Sequence, residues 1–253
     1  MLDISVVIPF FNSEKTILRS IESINHQSLL PKEIIVLIDG CNSNEYFDLL
    51  DKIVINIPIF TIVLNENRGP SYCRNLGVKF STSKYIAFLD ADDVWHPQKL
   101  GIQHEFMIEN NLKFSFHKYS EMPFEKKIIY TCCKNKILNK YNFLFKQYIA
   151  TPTVMVEKKS FVFFDENLRY CEDYLCWMMN IDLYKKIYMI DIYLAHGFKK
   201  ALGVSGLSSN IKKMHLGYIS ANIRLFNAGK ISLIYCFFSI LIEFVKYPLR
   251  YFK

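Results

Sequence analysis

The first ninety residues contain four short apolar runs, at positions 4–8, 33–38, 59–64 and 85–89. Each run is rich in β-branched or aliphatic residues and is continuous, without the strict alternation of apolar and polar positions that a half-exposed strand shows. Continuous runs of this length are typical of strands that are buried on both faces of a mostly parallel sheet. We therefore predict four such strands in this part of the chain.

Segments with helical periodicity separate these runs. Residues 13–27 place isoleucines on one face, with Ser13 as a suitable N-cap, and residues 43–53 form a weaker second pattern. A third segment, residues 70–80, opens with Pro70 at the first helical position. Strands that alternate with helices predict an α/β fold, in which a doubly wound, Rossmann-like, mostly parallel central sheet has helices on both faces.

The middle of the chain continues this pattern less regularly. Pro97 is a candidate start for a helix that ends near Asn110. A further helix is expected to begin at Glu172, and a short strand at 186–190 follows it. Additional strands are predicted at 113–119, 127–133 and 151–157, as a mixed or antiparallel extension of the sheet.

Composition indicates one large domain, alone or with a C-terminal appendage. The chain has 253 residues, 51% of them hydrophobic, which is enough for a full-sized core. Its seven cysteines are scattered and form no C-x-x-C pair, which argues against a disulfide framework and a zinc site. The first ten residues lack the basic and long apolar regions of a signal peptide, so we expect a cytoplasmic protein.

The positive charge is concentrated towards the C-terminus. The net charge is +7, yet residues 199–253 hold nine Lys or Arg residues and a single acid, Glu243. Such asymmetry points to a polyanionic partner, either nucleic acid or an anionic membrane surface. Nucleic acid is disfavoured, because the basic residues are interleaved with bulky aliphatic residues instead of forming a polar stripe with stacking platforms.

The apolar stretch within this tail is too short for a comfortable membrane span. Residues 231–242 are uncharged, but a spanning helix needs about 20 apolar residues, and Glu243 interrupts the run. A helix that lies in the membrane interface, with its cations on anionic lipid, accounts for both features. A helix that packs on the rest of the domain is the alternative.

Three acids follow the fourth apolar run, in the sequence "YIAFLDADDVW". Ligands bind an open α/β sheet outside the carboxyl ends of its strands, and no G-x-G-x-x-G or G-x-x-x-x-G-K-[ST] phosphate loop is present there. Asp90, Asp92 and Asp93 could instead hold Mg²⁺ or Mn²⁺, which in turn binds phosphate oxygens. The alternative is a solvated acidic turn that caps the next helix, a role that suits Asp93 in particular.

Four segments together resemble a known enzyme family. They are "ISVVIPFFNSEKTILRSIESINHQ", "LIDGCNSN", "NENRGPSYCRNLGV" and "YIAFLDADDVWHPQKL". In this order and spacing they are similar to the nucleotide-binding half of family 2 glycosyltransferases, which are inverting enzymes with the GT-A fold. The resemblance covers residues 3–105, and "CEDYLCW" downstream is similar to the family's acidic catalytic motif.

The resemblance implies a division of residues 1–205 into two parts. Residues 1–110 would form the nucleotide-sugar-binding half of the GT-A domain, and residues 111–205 would form its acceptor-binding and catalytic half. Separately from the resemblance, the composition and charge of residues 206–253 predict a basic, apolar, helical C-terminal region that associates with the membrane.

The resemblance also implies a site for a UDP-sugar donor across the first three strand ends. Pro9, Asn12 and Glu14 match the family's first loop. Phe11 stands where the family usually has a tyrosine near the uracil, so an aromatic face is kept and a hydroxyl is lost. Asp39 would accept a hydrogen bond from the base, although the acid that usually precedes it is absent.

The remaining donor contacts come from the third helix and the acid cluster. Arg74 would lie near the base and orient Asp39. Asp90, Ala91 and Asp92 match the family's D-x-D motif. Asp92 would be the main ligand of Mn²⁺ or Mg²⁺, and Asp90 would contact the ribose or a metal-bound water.

Sugar transfer with inversion needs a base that removes the proton of the acceptor hydroxyl. By the resemblance, Asp173 would be this base and Glu172 would bind the acceptor or tune the pKa of Asp173; alternatively, both are acids that the helix dipole favours in a first turn. His196 is a candidate metal or phosphate contact, unless it is an ordinary loop histidine. Lys199 and Lys200 are candidates for neutralising the diphosphate.

We therefore predict a metal-dependent hexosyl- or N-acetylhexosaminyltransferase. It would move a sugar from a UDP-sugar to a lipid-linked glycan acceptor, carried on undecaprenyl diphosphate, in O-antigen or capsule biosynthesis. It would work as a peripheral protein on the cytoplasmic face of the plasma membrane. Two other interpretations remain open: transfer to a polyprenyl phosphate itself, and a non-catalytic accessory protein that binds a sugar nucleotide or the membrane.

Overall fold

The computed structural model describes residues 1–40, 43–121, 135–198 and 209–250. Within these ranges the strands and α-helices are β1 (Leu2–Phe10), α1 (Ile17–Asn25), β2 (Pro31–Asp39), α2 (Ser43–Leu50), β3 (Ile59–Leu64), α3 (Pro70–Phe80), β4 (Tyr85–Phe88), β5 (Asp93–Trp95), α4 (Lys99–Glu109), β6 (Phe114–Ser120), β7 (Asn135–Leu138), β8 (Met155–Glu157), α5 (Glu172–Tyr184), β9 (Ile187–Gly197), α6 (Ile211–Asn227) and α7 (Leu233–Leu249). Short 3₁₀ helices cover Lys140–Leu144, Thr151–Thr153 and Lys158–Ser160. The predicted strand at 127–133 lies outside the described residues.

The strands form one mixed sheet in the order β3-β2-β1-β4-β8-β6-β9-β5, and β7 pairs with β9. Strands β1 to β4 pair in parallel. Strand β8 is antiparallel to both β4 and β6, and β9 pairs with β5, β6 and β7. Because the first four strands are parallel, their carboxyl ends meet at one edge of the sheet, which is where such folds bind ligands.

The structure confirms the elements predicted for the first half, with two local corrections. The four strands are present, and the third helix covers Pro70–Phe80 as predicted. The first helix begins at Ile17, later than expected, and its N-cap is Thr16 and not Ser13, which opens the turn before the helix. Strand β3 is partly exposed, since it forms the edge of the described sheet.

The segments around Pro97 and Pro152 differ from the predictions. Helix α4 begins at Lys99, two residues beyond the predicted start at Pro97. Of the strand predicted at 151–157, only Met155–Glu157 is extended, because Pro152 lies in a 3₁₀ turn and proline cannot donate to a strand ladder.

Two strands of the second half depart further from the pattern. The sequence predicts a short strand at 186–190, but β9 is 11 residues long, because it pairs with three other strands along its length. Strand β5 has 3 residues and opens with an acid, which no hydrophobic pattern indicates. It is antiparallel to the end of β9, so strand pairing holds Asp93 of the acid cluster at the opposite edge of the sheet from β3.

Hydrophobic clusters cover both faces of the sheet, as predicted. On one face, the isoleucines of α1 pack with β1 and β2 and with Leu100 and Met107 of α4. On the other face, α3 and α5 pack against the sheet, and Trp177 lies 6.0 Å from the ring of Phe88. Burying one such side chain contributes about 1.5–3 kcal/mol, so these two layers fix the positions of the strand ends.

The C-terminal helices pack on this second layer. Tyr174 of α5 stacks on Tyr218 of α6 at 4.7 Å and donates a hydrogen bond to Asn222 at 3.1 Å. Helix α7 contributes Tyr235 and Cys236 to the same cluster, so the alternative in which the tail packs on the domain holds for one side of α7. Among the described helices, none combines the length and the apolar character that a membrane crossing requires.

Candidate active site

A cavity of about 600 Å³ opens at the carboxyl ends of β1, β2 and β4. Residues 150–152 and 169–171 close its other side. Most of the side chains that the sequence singled out line it, namely Pro9, Phe11, Asp39, Arg74, Asp90, Ala91, Asp92, Glu172 and Asp173. One cavity therefore brings together the residues that were predicted to bind nucleotide, to hold a cation and to act as a base.

The turn after β1 presents an aromatic ring to this cavity. Phe11 is 46% exposed and lines the wall together with Pro9, so Phe11 is not an ordinary core residue. Asn12 follows in the left-handed region, with φ of 47°, which bends the chain away from the strand. Within the described part of the chain, Asn12 and Glu14 are not among the lining residues. The donor-binding role expected of Asn12 and Glu14 stays a prediction.

Asp39 is held rigidly at the end of β2. It is 3% exposed, and its carboxylate accepts hydrogen bonds from the N–H groups of Arg68 at 2.6 Å and Gly69 at 2.8 Å and from the amide of Asn67 at 3.0 Å. Gly40 follows with φ of +68°, and a Cβ there would lie 2.2 Å from the backbone nitrogen of Asn67. Glycine at this position therefore lets the loop before α3 approach Asp39.

Arg74 connects the two acidic parts of the cavity. Its side chain is buried, and its guanidinium donates to Asp90 at 2.8 Å and to Glu172 at 3.3 Å. These partners differ from the expected one, Asp39. Burial alone would lower the pKa of Arg74, but the charges of Asp90 and Glu172 raise that pKa above its ordinary value. The guanidinium is therefore a permanent positive charge between two carboxylates.

The acid turn between β4 and β5 contains a buried carboxyl group. Asp93 accepts a hydrogen bond from the hydroxyl of Tyr119 at 2.7 Å. Burial raises the pKa of Asp93 to about 8, and the neighbouring charges of Asp90 and Asp92 act in the same direction. Gly197 lies opposite Asp93 in the β5–β9 pair, and a Cβ there would come within 1.7 Å of the Tyr119 hydroxyl. The absence of a side chain at Gly197 thus makes room for this hydrogen bond.

This geometry excludes the alternative in which Asp93 caps the next helix. Asp93 is a strand residue, and the N-cap of α4 is Gln98. The backbone carbonyl of Asp92 accepts a hydrogen bond from Arg19 of α1 at 2.9 Å. The acid turn is thus fixed by contacts on both sides and is not a loose solvated loop.

The acid turn fits a divalent cation only if a substrate supplies part of the coordination. In the ranges that the structure describes, no group of three or more His, Cys, Asp or Glu side chains has the geometry to hold a metal ion. Asp90 and Asp92 nevertheless both line the cavity, and one oxygen of Asp90 is already used by Arg74. Mg²⁺ is commonly bound by one or two carboxylates, with water and substrate phosphates as the other ligands. The two aspartates match that donor set.

The first turn of α5 carries the two predicted catalytic acids. Cys171, directly before it, has φ of 59°, a strained value for a residue other than glycine, and the turn directs Glu172 and Asp173 to the cavity. Burial raises the pKa of Glu172 to about 8, Asp173 adds to the effect, and Arg74 opposes it. Burial also raises the pKa of Asp173. The hydrogen bond that its carboxylate accepts from the N–H of Tyr174, at 2.7 Å, acts in the opposite direction and lowers that pKa.

The remaining three predicted residues are not part of this cavity as described. His196 is a buried residue of β9, not a loop histidine, and it pairs with Val94 of β5. Because side chains alternate along a strand, His196 points to the opposite face from Gly197 and Asp93, so we no longer include it in the metal site. Lys199 and Lys200 lie outside the described residues.

Sequence analysis missed several residues of the site. Tyr119 lines the cavity from β6, and Arg169 donates to Asn67 at 2.9 Å at its rim. The carbonyl of Pro152 accepts a hydrogen bond from the indole of Trp95 at 2.8 Å, and this bond links β5 to the 3₁₀ turn at 151–153. None of these residues stands in a recognisable motif, and only the pairing of distant strands brings them to the site.

Comparison with known proteins gives the family. The sequence matches the family described as glycosyl transferase family 2 over residues 5–168. An uncharacterized glycosyltransferase of Rickettsia bellii is 36% identical over 185 residues, which are 69% of this chain and 26% of that protein. The chain thus spans about a quarter of that relative's length. WfgD of Escherichia coli, a UDP-Glc:alpha-D-GlcNAc-diphosphoundecaprenol beta-1,3-glucosyltransferase, is 30% identical over 177 residues, 69% of this chain and 68% of that protein.

A solved structure shows the same fold. The crystal structure of residues 1–349 of TarS from S. aureus in complex with UDP-GlcNAc has a TM-score of 0.69 and 19% identity, and the match covers 91% of this chain and 68% of that one. At this identity the likeness concerns the fold alone, and it supports the GT-A-like α/β architecture. Because the family match extends over more than half of the chain, the protein belongs to glycosyl transferase family 2.

Proposed function

We propose that the protein transfers a hexosyl or N-acetylhexosaminyl group, with inversion, from a UDP-sugar to a glycan linked to undecaprenyl diphosphate. The observation that carries this proposal is the buried bridge from Arg74 to Asp90 and Glu172, which joins the donor side and the base side of one cavity. The named activity of WfgD, at 30% identity, supports the choice of a UDP-sugar and of a lipid-linked acceptor. Synthesis of a cell-surface polysaccharide is the matching process.

The uracil would lie between Phe11 and Asp39. The exposed ring of Phe11 offers a face for stacking, which is worth about 0.5–1.5 kcal/mol beyond the area buried. Asp39 accepts three hydrogen bonds from the protein, and a carboxylate has about four lone-pair sites, so one acceptor position remains for an N–H of the base.

The diphosphate would lie over the D-x-D residues. When bound, Mn²⁺ or Mg²⁺ would neutralise the charge that develops on the departing UDP. Asp92 would hold the ion, and Asp90 would contact the ribose. Arg74 orients the carboxylate of Asp90, and Arg19 holds the backbone of Asp92, so both acids are positioned before the donor arrives.

Asp173 is the better placed of the two acids to act as the base. Glu172 is paired with Arg74 and buried, whereas Asp173 is only half-buried. The acceptor oxygen would attack the anomeric carbon, its proton would pass to Asp173, and the bond from the anomeric carbon to the diphosphate would break, with its electron pair leaving on UDP. The raised pKa of Asp173 makes it a stronger base than an ordinary aspartate.

A donor and acceptor screen tests this proposal. UDP- and GDP-sugars would be assayed with extracted lipid-linked acceptors, with and without EDTA, on the wild type, Asp92→Asn and Asp173→Asn. Asp48→Asn, which changes an exposed acid of α2, is the matched control. We expect Asp92→Asn to lose cation-dependent donor binding. We expect Asp173→Asn to keep donor binding and lose transfer, while the control behaves as the wild type.

Two outcomes would contradict the proposal. Transfer by Asp173→Asn at the wild-type rate would show that another group is the base. No turnover with any donor would favour the accessory interpretation, in which the protein binds a sugar nucleotide without using it.

A further inference from the structure

Helix α7 buries its polar side and exposes its apolar side. The residues that it buries include Tyr235, Cys236, Ser239 and Glu243. The outer face of α7 consists of exposed apolar residues, namely Leu233, Ile234, Phe237, Phe238, Leu241, Phe244, Val245 and Leu249. At 3.6 residues per turn these eight positions fall within an arc of about 160°. This is the reverse of the usual surface helix, whose apolar stripe faces the core.

Hydrogen bonds to the buried acid fix this orientation. Glu243 is 2% exposed, accepts two hydrogen bonds from Arg250 at 2.7 Å, and lies 3.1 Å from Nδ1 of His215 on α6. The hydroxyls of Ser239 and Tyr218 are also 2.9 Å apart. Turning α7 to bury its apolar side would break the contacts of Glu243 with His215 and of Ser239 with Tyr218, both on α6. The pair of Glu243 with Arg250, the C-cap of α7, would turn with the helix. The exposed apolar face is therefore a built feature of the fold.

The charges around this face are almost all positive. Residues 211–250 contain six Lys or Arg residues and one acid, and that acid is the buried Glu243. Lys230 precedes α7, while Lys246 and Arg250 lie at its end. Lys230 pairs with Asp182, Lys246 donates to the carbonyl of Phe145, and Arg250 pairs with Glu243, whereas Lys212 and Lys213 at the start of α6 are exposed. An apolar face on two helices with this net positive charge and no exposed acid complements a surface that is apolar within and anionic at its edge.

Helix α6, on which α7 packs, adjoins the active-site cavity. Met214 of α6 lines the cavity, and its carbonyl accepts a hydrogen bond from the thiol of Cys171 at 3.3 Å, directly before the catalytic acids. Exposed Leu216 and Ile223 extend the apolar surface along α6. A surface on which α6 and α7 rest would therefore lie close to this cavity.

We propose that the outer face of α7 inserts into the headgroup region of an anionic lipid bilayer, with the helix axis parallel to the membrane. At 1.5 Å per residue its 17 residues extend about 25 Å along the surface. The part of this inference that links the surface to a lipid-linked acceptor rests on the proposed function. A second copy of the chain is a less suitable occupant, because pairing two such faces would bring like charges together.

Vesicle sedimentation of the full chain, without any substrate, tests this inference. Vesicles of phosphatidylcholine would be compared with vesicles that contain about 30% phosphatidylglycerol. The test variant is Ile234→Ser/Phe237→Ser. The matched control is Phe60→Ser/Phe80→Ser, which changes two apolar residues of β3 and α3 that are also more than half exposed. We expect the wild type and the control to bind the anionic vesicles, and we expect the affinity of the test variant to be lower by about tenfold or more.

The outcomes separate this inference from the proposed function. UDP binding by the test variant at the wild-type level would show that the fold is intact. The inference is overturned if the wild type does not bind anionic vesicles, if the control loses binding equally, or if Ile234→Ser/Phe237→Ser instead abolishes a dimer. Because vesicle binding needs no turnover, a failed donor screen would not contradict the membrane inference. A failure to bind vesicles would likewise not contradict the proposed sugar transfer.

Discussion

Replacing Arg74 by methionine should destabilise the fold far more than an ordinary arginine substitution. The buried guanidinium lies 2.8 Å from Asp90 and 3.3 Å from Glu172. At an effective dielectric constant of about 20, each contact represents about 5–6 kcal/mol of attraction, which the desolvation of the three groups largely offsets. Above about pH 8, where Glu172 is ionised, the variant leaves two carboxylates without their cation, so we expect the free energy of unfolding at about pH 9 to fall by about 3–5 kcal/mol.

Urea unfolding, followed by tryptophan fluorescence, measures this loss. Arg68→Met is the matched control, because Arg68 forms an ion pair of similar length, 2.9 Å, with Glu66 but is exposed. Its removal should leave the unfolding midpoint unchanged. The double variant Arg74→Met/Glu172→Gln should recover part of the loss, since one uncompensated charge is gone. If Arg74→Met unfolds at the same urea concentration as Arg68→Met, the reasoning about the buried bridge is refuted.

Two further predictions concern the neighbouring acids. Gly197→Ala should weaken Mn²⁺-dependent UDP binding about tenfold or more, because the new Cβ would lie 1.7 Å from the Tyr119 hydroxyl that donates to Asp93. Calorimetric titration measures the affinity for UDP, and a wild-type affinity would contradict this prediction. Burial raises the pKa of Glu172 from 4.5 to about 8, so the folded state binds this proton more tightly than the unfolded chain, and stability is lost as the pH rises between these values. Glu172→Gln should flatten that decline in urea unfolding between about pH 5 and about pH 8, and an unchanged slope would count against the buried acid.

Helix α3 shows what local sequence can predict. Its bounds, Pro70–Phe80, agree with the prediction because a proline at the first helical position and the periodicity after it are both local signals. The local sequence does not predict the partners of Arg74, a residue of this helix. Its contact with Glu172 joins residues 98 positions apart, and the pairing depends on how α5 docks on the sheet. Motifs therefore identified the side chains of the site, whereas tertiary packing decided which of them meet.

Helix α7 shows the opposite limit. Its apolar residues predict a helix, and the usual rule that the apolar side faces inwards gives the wrong orientation. The orientation depends on Glu243, whose partner His215 is 28 residues away on another helix. Strand β5 is similar, because its three residues become a strand only through pairing with the end of β9. In both cases contacts between residues far apart in the sequence override the local pattern.

The balance of charge in the cavity bears on how the donor binds. Among the described residues six acids line it, namely Asp39, Asp90, Asp92, Asp93, Glu172 and Asp173, against two arginines, Arg74 and Arg169. Even without Asp93 and Glu172, whose pKa burial raises to about 8, the remaining acids outnumber the arginines. Arg74 is already paired with two carboxylates, so the described residues leave little positive charge for a diphosphate. A UDP-sugar that entered alone would meet repulsion, whereas a donor that shares a divalent cation with Asp92 would not. We therefore expect donor and cation to bind as one unit, and donor binding that persists undiminished in EDTA would contradict this.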